Sequence, residues 1–199
     1  PNTDADWFRS SGLKLDERGY VTVDGYGRTN LDGVWALGDI TPGHALAHRA
    51  FEQGITIAEK IAGADPKPVI DDTVPQVVFS FPEAASVGLT LDQAKAREDV
   101  VEPKETAYPM LSNARMLMSG EGGSMTVVSG AFADNPDMQV VLGVHIVSPI
   151  ASDLIAEAEQ LVGNRVPLAD AARLIHPHPT FSETLGEALL KADGRPLHT

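Results

Sequence analysis

Apolar positions first recur at a helical interval between about residues 45 and 62, where Leu46, Ala47, Ala50, Phe51, Ile55, Ala58 and Ile61 predict one long helix. Ahead of it, residues 4–12 predict a short helix ending at Gly12. Residues 14–24 alternate around a turn and predict a hairpin or strand pair. Residues 34–37 are a short apolar run that predicts a strand. Residues 63–75 are rich in Pro and Asp, a composition that few helices or buried strands survive. They place a domain boundary that divides the chain into 1–70 and 71–199.

Beyond the boundary the pattern is α+β. Strands are expected at 76–79, 85–88, 105–109, 124–129 and 139–147, the last two joined by a polar loop over 131–138. Thr90 with Gln93 has capping-box spacing and predicts a helix to about Arg97. Leu154, Ile155, Ala158, Leu161 and Val162 share one face of a helix over 151–163. A further short helix is expected over 167–174, with Pro167 in its first turn. Met110, Met116, Met118 and Met125 are expected to fill core or interface.

Composition narrows the function classes. A hydrophobic share of 43% and a charged share of 22% suit a packed globular fold. The net charge of −13, with no basic run, argues against nucleic acid and anionic membrane as partners. No run of 18 apolar residues and no basic-then-apolar leader is present, so a cytoplasmic protein is expected. Zero cysteines exclude a disulfide, a thiolate metal site or a cysteine nucleophile within these residues.

Two stretches carry candidate chemistry. In Ile175-His176-Pro177-His178-Pro179-Thr180-Phe181-Ser182-Glu183 each histidine precedes a proline, which makes a stiff, non-helical connector. Thr180 and Glu183 have capping-box spacing and predict a helix start. A carboxylate that binds one imidazole nitrogen raises the basicity of the other, so His178 with Glu183 could form a general acid/base. A plain helix cap after a plain turn satisfies the same residues. The second stretch is Gly38-Asp39, at the end of the predicted strand 34–37. Ligands of α/β sheets bind beyond strand carboxyl ends, and Asp39 could accept hydrogen bonds from hydroxyls there. The following helix would point its positive end at the same place. Alone, Gly-Asp is an ordinary turn. No metal site is expected: His44 and His48 lack companion ligands, His176 and His178 are expected to point apart, and His145 reads as a half-buried strand residue.

The longer strings resemble one family. His176-Pro177-His178-Pro179-Thr180-Phe181-Ser182-Glu183 is similar to the His-x-His-Pro-Thr-x-Ser-Glu signature of dihydrolipoamide dehydrogenases, within the pyridine nucleotide-disulfide oxidoreductases. Thr29-Asn30, Gly33 to Asp39, then Ala45 to Ala50 and Gly54 resemble the family's second FAD-binding motif. Residues 81–90, 142–147 and 151–155 resemble segments of its C-terminal interface domain, and the motifs follow family order.

The resemblance implies an α+β interface (dimerisation) domain with an antiparallel sheet and flanking helices, preceded by the last segment of an FAD-binding α/β domain. It implies that His178 is the proton acceptor and Glu183 its partner, acting at the partner subunit's active site in a homodimer. Asp39 and Ala47, flanked by Gly38, Leu46 and His48, would contact FAD. In the family a hydride equivalent passes between a redox disulfide, FAD and NAD. The cysteine pair and the NAD domain lie N-terminal to anything here, so the chain is expected to be the C-terminal part of a longer enzyme, inactive alone and not retaining FAD. The implied substrate is dihydrolipoamide on a lipoyl carrier of a 2-oxo-acid dehydrogenase complex. Two alternatives stay open: another disulfide reductase of the family, of glutathione or mycothione type, and a non-catalytic dimerisation or scaffold domain. His-Pro in place of the commoner His-Ala before His178 bears on substrate identity.

Overall fold

The structure is a computed structural model that describes residues 1–198. It divides into two compact units, Pro1–Asp71 and the residues from Asp72 onward.

The first unit is built mostly of turns. A single helical turn, α1 (Asp6–Arg9), precedes Gly12, whose φ of +82° closes the segment as a left-handed turn. The expected hairpin over 14–24 is reduced to one isolated bridge, Leu15 to Val21. Asp16 organises its turn, accepting the N–H groups of Arg18 and Tyr20. The expected strand over 34–37 does not form. Its one ladder contact is a bridge from Trp35 to Arg28, and a strand without a continuous partner leaves its backbone groups to turns. The long helix α2 (Ala47–Ile61) starts two residues later than the pattern predicts, with Leu46 as its extended N-cap. Phe8, Val21 and Ala36 form a small core, with Leu13, Val23 and Ile40 against it.

The second unit is one antiparallel sheet with helices. Its strands are β1 (Gln76–Val78), β2 (Glu83–Gly88), β3 (Val100–Pro109), β4 (Ser124–Phe132) and β5 (Asn135–Ser148), in the order β1-β2-β5-β4-β3. The fold class is the expected one: a five-stranded antiparallel sheet with flanking helices. β4 and β5 run further than the pattern predicts, because the 131–138 segment is not a long loop. Phe132 pairs with Asn135, which leaves a two-residue turn at Ala133 and Asp134.

Helices α3 (Leu91–Ala96), α4 (Ala114–Ser119), α5 (Ala151–Gly163), α6 (Leu168–Ala171) and α7 (Glu183–Ala192) complete the unit. The predicted capping box of α3 is present in full: the Thr90 hydroxyl accepts the Gln93 N–H, and the Gln93 side chain accepts the Thr90 N–H. Helix α5 spans the predicted residues and buries Leu154, Ile155, Ala158, Leu161 and Val162. Helix α6 is shorter than predicted, with Pro167 as its N-cap.

The main core joins Val87, Met125, Val127, Val144 and Ile146 of the sheet to α5, α6 and α7, including Leu185, Ala188 and Leu189. Met110, Met116 and Met125 are fully buried in it, whereas Met118 is exposed. A smaller cluster of Leu89, Ala94, Val128, Val140 and Leu142 includes α3. Glycine is obligatory at Gly88, where φ is +79° and a Cβ would fall 2.2 Å from the Leu142 carbonyl oxygen of β5.

Candidate active site

Helix α7 begins at Glu183, not at the residue after Thr180. Ser182 is its N-cap and makes no side-chain cap bond. Half of the expected capping box forms: Glu183 Oε2 accepts the Thr180 N–H at 2.8 Å. The Thr180 hydroxyl instead turns back, donating to the Pro177 carbonyl at 2.6 Å and lying 2.9 Å from Ser182 Oγ. That closes residues 177–182 into a loop stitched to itself. The loop is also tied from a distance, since Asn113 donates its side-chain N–H to the Thr180 carbonyl at 3.1 Å. The same Asn113 caps α4, accepting the N–H groups of Arg115 and Met116. The Arg115 guanidinium stacks over the Phe181 ring at 5.5 Å.

This loop brings His178 and Glu183 together. His178 Nδ1 lies 2.8 Å from Glu183 Oε1, while Oε2 of the same carboxylate holds Thr180. Both carboxylate oxygens are thereby used, which fixes the carboxylate in one orientation. The two groups differ in setting: the His178 side chain is 71% exposed, that of Glu183 21%. Burial pushes Glu183 upward, but the Thr180 N–H and the bonded His178 outweigh it and hold the carboxyl below its ordinary value. An anionic Glu183 at Nδ1 leaves Nε2 as the nitrogen that can exchange a proton with a bound molecule.

The neighbouring His176 takes a separate partner. Its Nε2 lies 2.8 Å from Glu157 Oε1 on α5, and its side chain is 9% exposed. The two histidines thus serve different carboxylates. Sequence reading missed Glu157 and Asn113, which lie 19 and 67 residues from their partners. No local spacing signals contacts of that range. His145, on β5, is half-buried and contacts the Leu89 carbonyl through Nε2 at 3.1 Å.

The second candidate stretch lies in the first unit. Gly38 opens a short 3-10 turn, Gly38–Ile40, with φ at +70°. Its N–H donates to Gln53 of α2 at 2.9 Å, and its carbonyl accepts the Thr41 hydroxyl at 2.8 Å. Arg49, buried on α2, donates to Asp71 at 2.6 Å and to the Pro42 carbonyl at 2.7 Å. These bonds hold the 38–43 loop against the first two turns of α2. Asp39, Ala47 and His48 are exposed and Leu46 is half-buried. The N-cap residue of α2, Leu46, makes no side-chain cap bond. An exposed carboxylate beside a helix N-terminus offers hydrogen-bond acceptors and donors together. Among the described residues no group of three or more His, Cys, Asp or Glu side chains is arranged to hold a metal, and no helix is long and apolar enough to cross a membrane.

Residues 74–189 match the family model described as the pyridine nucleotide-disulphide oxidoreductase dimerisation domain, and residues 1–54 match that described as pyridine nucleotide-disulphide oxidoreductase. The chain is 42% identical over its full length to a dihydrolipoyl dehydrogenase of Cupriavidus necator, covering 40% of that protein. It is 38% identical to one of Bacillus subtilis over 92% of this chain and 38% of that protein. The chain therefore spans about two fifths of the length of these relatives. Among solved structures, LpdA of Mycobacterium tuberculosis superimposes with a TM-score of 0.85 at 30% identity, over 96% of this chain and 40% of that one. The HOCl-induced flavoprotein disulfide reductase RclA of Escherichia coli shares the fold, with a TM-score of 0.77 at 23% identity, over 95% of this chain and 42% of that one.

Proposed function

The chain belongs to the pyridine nucleotide-disulphide oxidoreductase family, and from that premise we propose that it is the C-terminal part of a dihydrolipoamide dehydrogenase. In this reading His178 is the proton acceptor and Glu183 its partner. The observation that carries it is the His178–Glu183 bond with the second carboxylate oxygen pinned by the Thr180 N–H. A plain helix cap would need only the latter.

The chemistry follows from those atoms. A dihydrolipoamide thiol approaching Nε2 of His178 gives up its proton to that nitrogen. The thiolate so formed is the species competent to attack a disulfide. The ring becomes an imidazolium whose Nδ1–H stays on Glu183, and the anionic carboxylate stabilises the new charge. Exposure of the ring suits a base that serves a substrate arriving from outside its own subunit, as a homodimer would require. The family model matched over residues 74–189 is a dimerisation domain, which supports that assembly.

The residues of the first unit fit a flavin by their donor set. Asp39 offers a carboxylate suited to ribityl hydroxyls, and Gly38, Leu46, Ala47 and His48 offer backbone at a helix N-terminus. FAD, when bound, would supply the electron-pair acceptor that links the disulfide to NAD. The remaining parts of the proposal are a lipoyl carrier of a 2-oxo-acid dehydrogenase complex as the substrate's bearer and a cytoplasmic location.

The test is made in the full-length protein. His178→Gln is expected to lower dihydrolipoamide-dependent NAD reduction by about 10²–10⁴-fold, the usual worth of a positioned acid/base. Near-wild-type turnover would remove the catalytic assignment and favour a dimerisation or scaffold domain.

A further inference from the structure

His176 takes no part in the proton transfer proposed above, yet it is the more deeply set of the two histidines. Its ring is held on both edges. Nε2 meets Glu157 of α5, and Nδ1 lies where a side chain of α7 would otherwise be: a Cβ on Gly186 would fall 2.6 Å from it. The imidazole is therefore wedged between α5 and the glycine face of α7, the helix whose first residue is Glu183. Between His176 and His178 stands only Pro177, whose fixed φ leaves the link little freedom.

We propose that His176, bonded to Glu157 and seated on Gly186, is a positioning residue that fixes the connector between α5 and α7 so that His178 meets Glu183. This rests on the reading of His178 as the proton acceptor. The supporting chemistry is consistent. The groups facing the ring are Glu157 from α5 and, in the same cleft of about 130 Å³, Glu183 and Glu187 from α7. Among the described residues no Lys or Arg lines that cleft. The Glu157 hydrogen bond raises the affinity of His176 for its proton against the opposing effect of burial, and the Leu174 carbonyl and the Glu183 charge add to it. A charged ring turns the Nε2–Glu157 hydrogen bond into an ion pair, so the seat is firmest when the ring is charged. A raised folded value means that the contribution is fully present below the ordinary histidine value of 6.5 and is lost as pH rises through the folded value.

The experiment has two arms. In the first, the chain of residues 1–199 carries ¹⁵N-labelled histidine rings, and the titrations of His176 and His178 are followed by NMR. Glu157→Gln should lower the His176 midpoint and broaden or remove the His178 Nδ1–H signal that reports the Glu183 bond. His176→Gln should affect the His178 signal in the same way while the amides of α5 remain protected. An unchanged His178 signal in a folded variant overturns the proposal.

In the second arm, the full-length protein is assayed. Glu157→Gln is expected to lower kcat by about 10-fold with little change in KM, within the range that a small misplacement of a catalytic group costs. Its kcat should also decline less steeply than the wild type's as pH rises through the His176 midpoint. Unchanged kcat at every pH, with His178→Gln inactive, overturns the positioning role alone. An active His178→Gln overturns the reading on which it rests.

Discussion

The two units bury their residues in different ways. From Asp72 onward, apolar side chains of four strands and four helices meet in one large cluster, and Met110, Met116, Met125, Val127 and Leu189 are wholly enclosed. Before that point the buried apolar cluster has three members, Phe8, Val21 and Ala36. The longest element there, α2, buries Arg49, Thr56 and Ile57 but leaves Phe51 71%, Ile55 52% and Ile61 59% exposed. Polar staples take the place of a core. Asp16 and Asp24 each accept two backbone N–H groups, Asn30 bridges Gly12 and Lys14, and Arg49 gathers Asp71 and Pro42. The contrast teaches where each unit's stability resides: in apolar burial for the second, in directed hydrogen bonds for the first. Under the proposed function the exposed stripe of α2 is the face that the remainder of a flavin domain would cover.

The sharpest way to break this comparison is to open the larger core. Leu185 of α7 is 1% exposed and packs among the sheet-facing residues. Leu185→Ala removes buried methylenes and leaves a cavity, so a loss of about 2–5 kcal/mol is expected, read as a lower denaturant midpoint for the second unit. A loss below about 1 kcal/mol would mean that the cluster is loosely packed and the contrast overstated.

In the first unit the matching change is Arg49→Gln. It strands the Pro42 carbonyl and breaks the bond to Asp71, whose side chain is 40% exposed and so partly solvated. The expected loss is about 1–3 kcal/mol, the scale of a hydrogen bond to a charged group. It should appear as faster amide exchange in residues 38–43 with little change in the strands.

A smaller effect is expected from acid. Glu183 is held below its ordinary 4.5, against burial, by Thr180 and His178. A depressed carboxylate contributes stability that is present above 4.5 and lost as pH falls through its folded value. Unfolding midpoints measured across that range should fall less steeply in Glu183→Gln than in the wild type.

The same contrast governs what the residues reveal on reading. Helix α5 is legible because its buried face repeats every three or four residues, and α3 because Thr90 and Gln93 supply both halves of a cap. The His178–Glu183 pair is legible because its five-residue spacing closes on itself across a stiff turn. What needs a distant partner is not. Residues 34–37 look like a strand by composition, but a strand exists only where another chain segment pairs with it. Asn135-Pro136 looks like a turn. Proline is accommodated in β5 because the ladder to β4 is irregular there, between Gly130 and Phe132, so its missing N–H interrupts no regular pair. Glu157 and Asn113, which hold the loop from α5 and the start of α4, carry no local mark at all.

The smallest expected effect tests how far the second unit acts as one. Thr90 is exposed and touches no core side chain through its hydroxyl; its work is the reciprocal cap with Gln93 at the start of α3. Thr90→Ala should cost about 1 kcal/mol. That loss can be expressed in two ways. Behind the cap, Ala94 is fully buried against the smaller cluster on Leu89, Val128, Val140 and Leu142. Val128, Val140 and Leu142 of that cluster lie on the same strands, β4 and β5, that supply the main core, so the sheet is shared between the two. If the sheet transmits the loss, exchange should quicken equally at Ala94 and at Val127 in the main core, as in one cooperative unit. If only Ala94 and its neighbours quicken, α3 opens by itself. The shared strands favour the first outcome, because α3 cannot leave without exposing Val128 and Leu142, whose strand neighbours Val127 and Val141 form the opposite face of the same backbone.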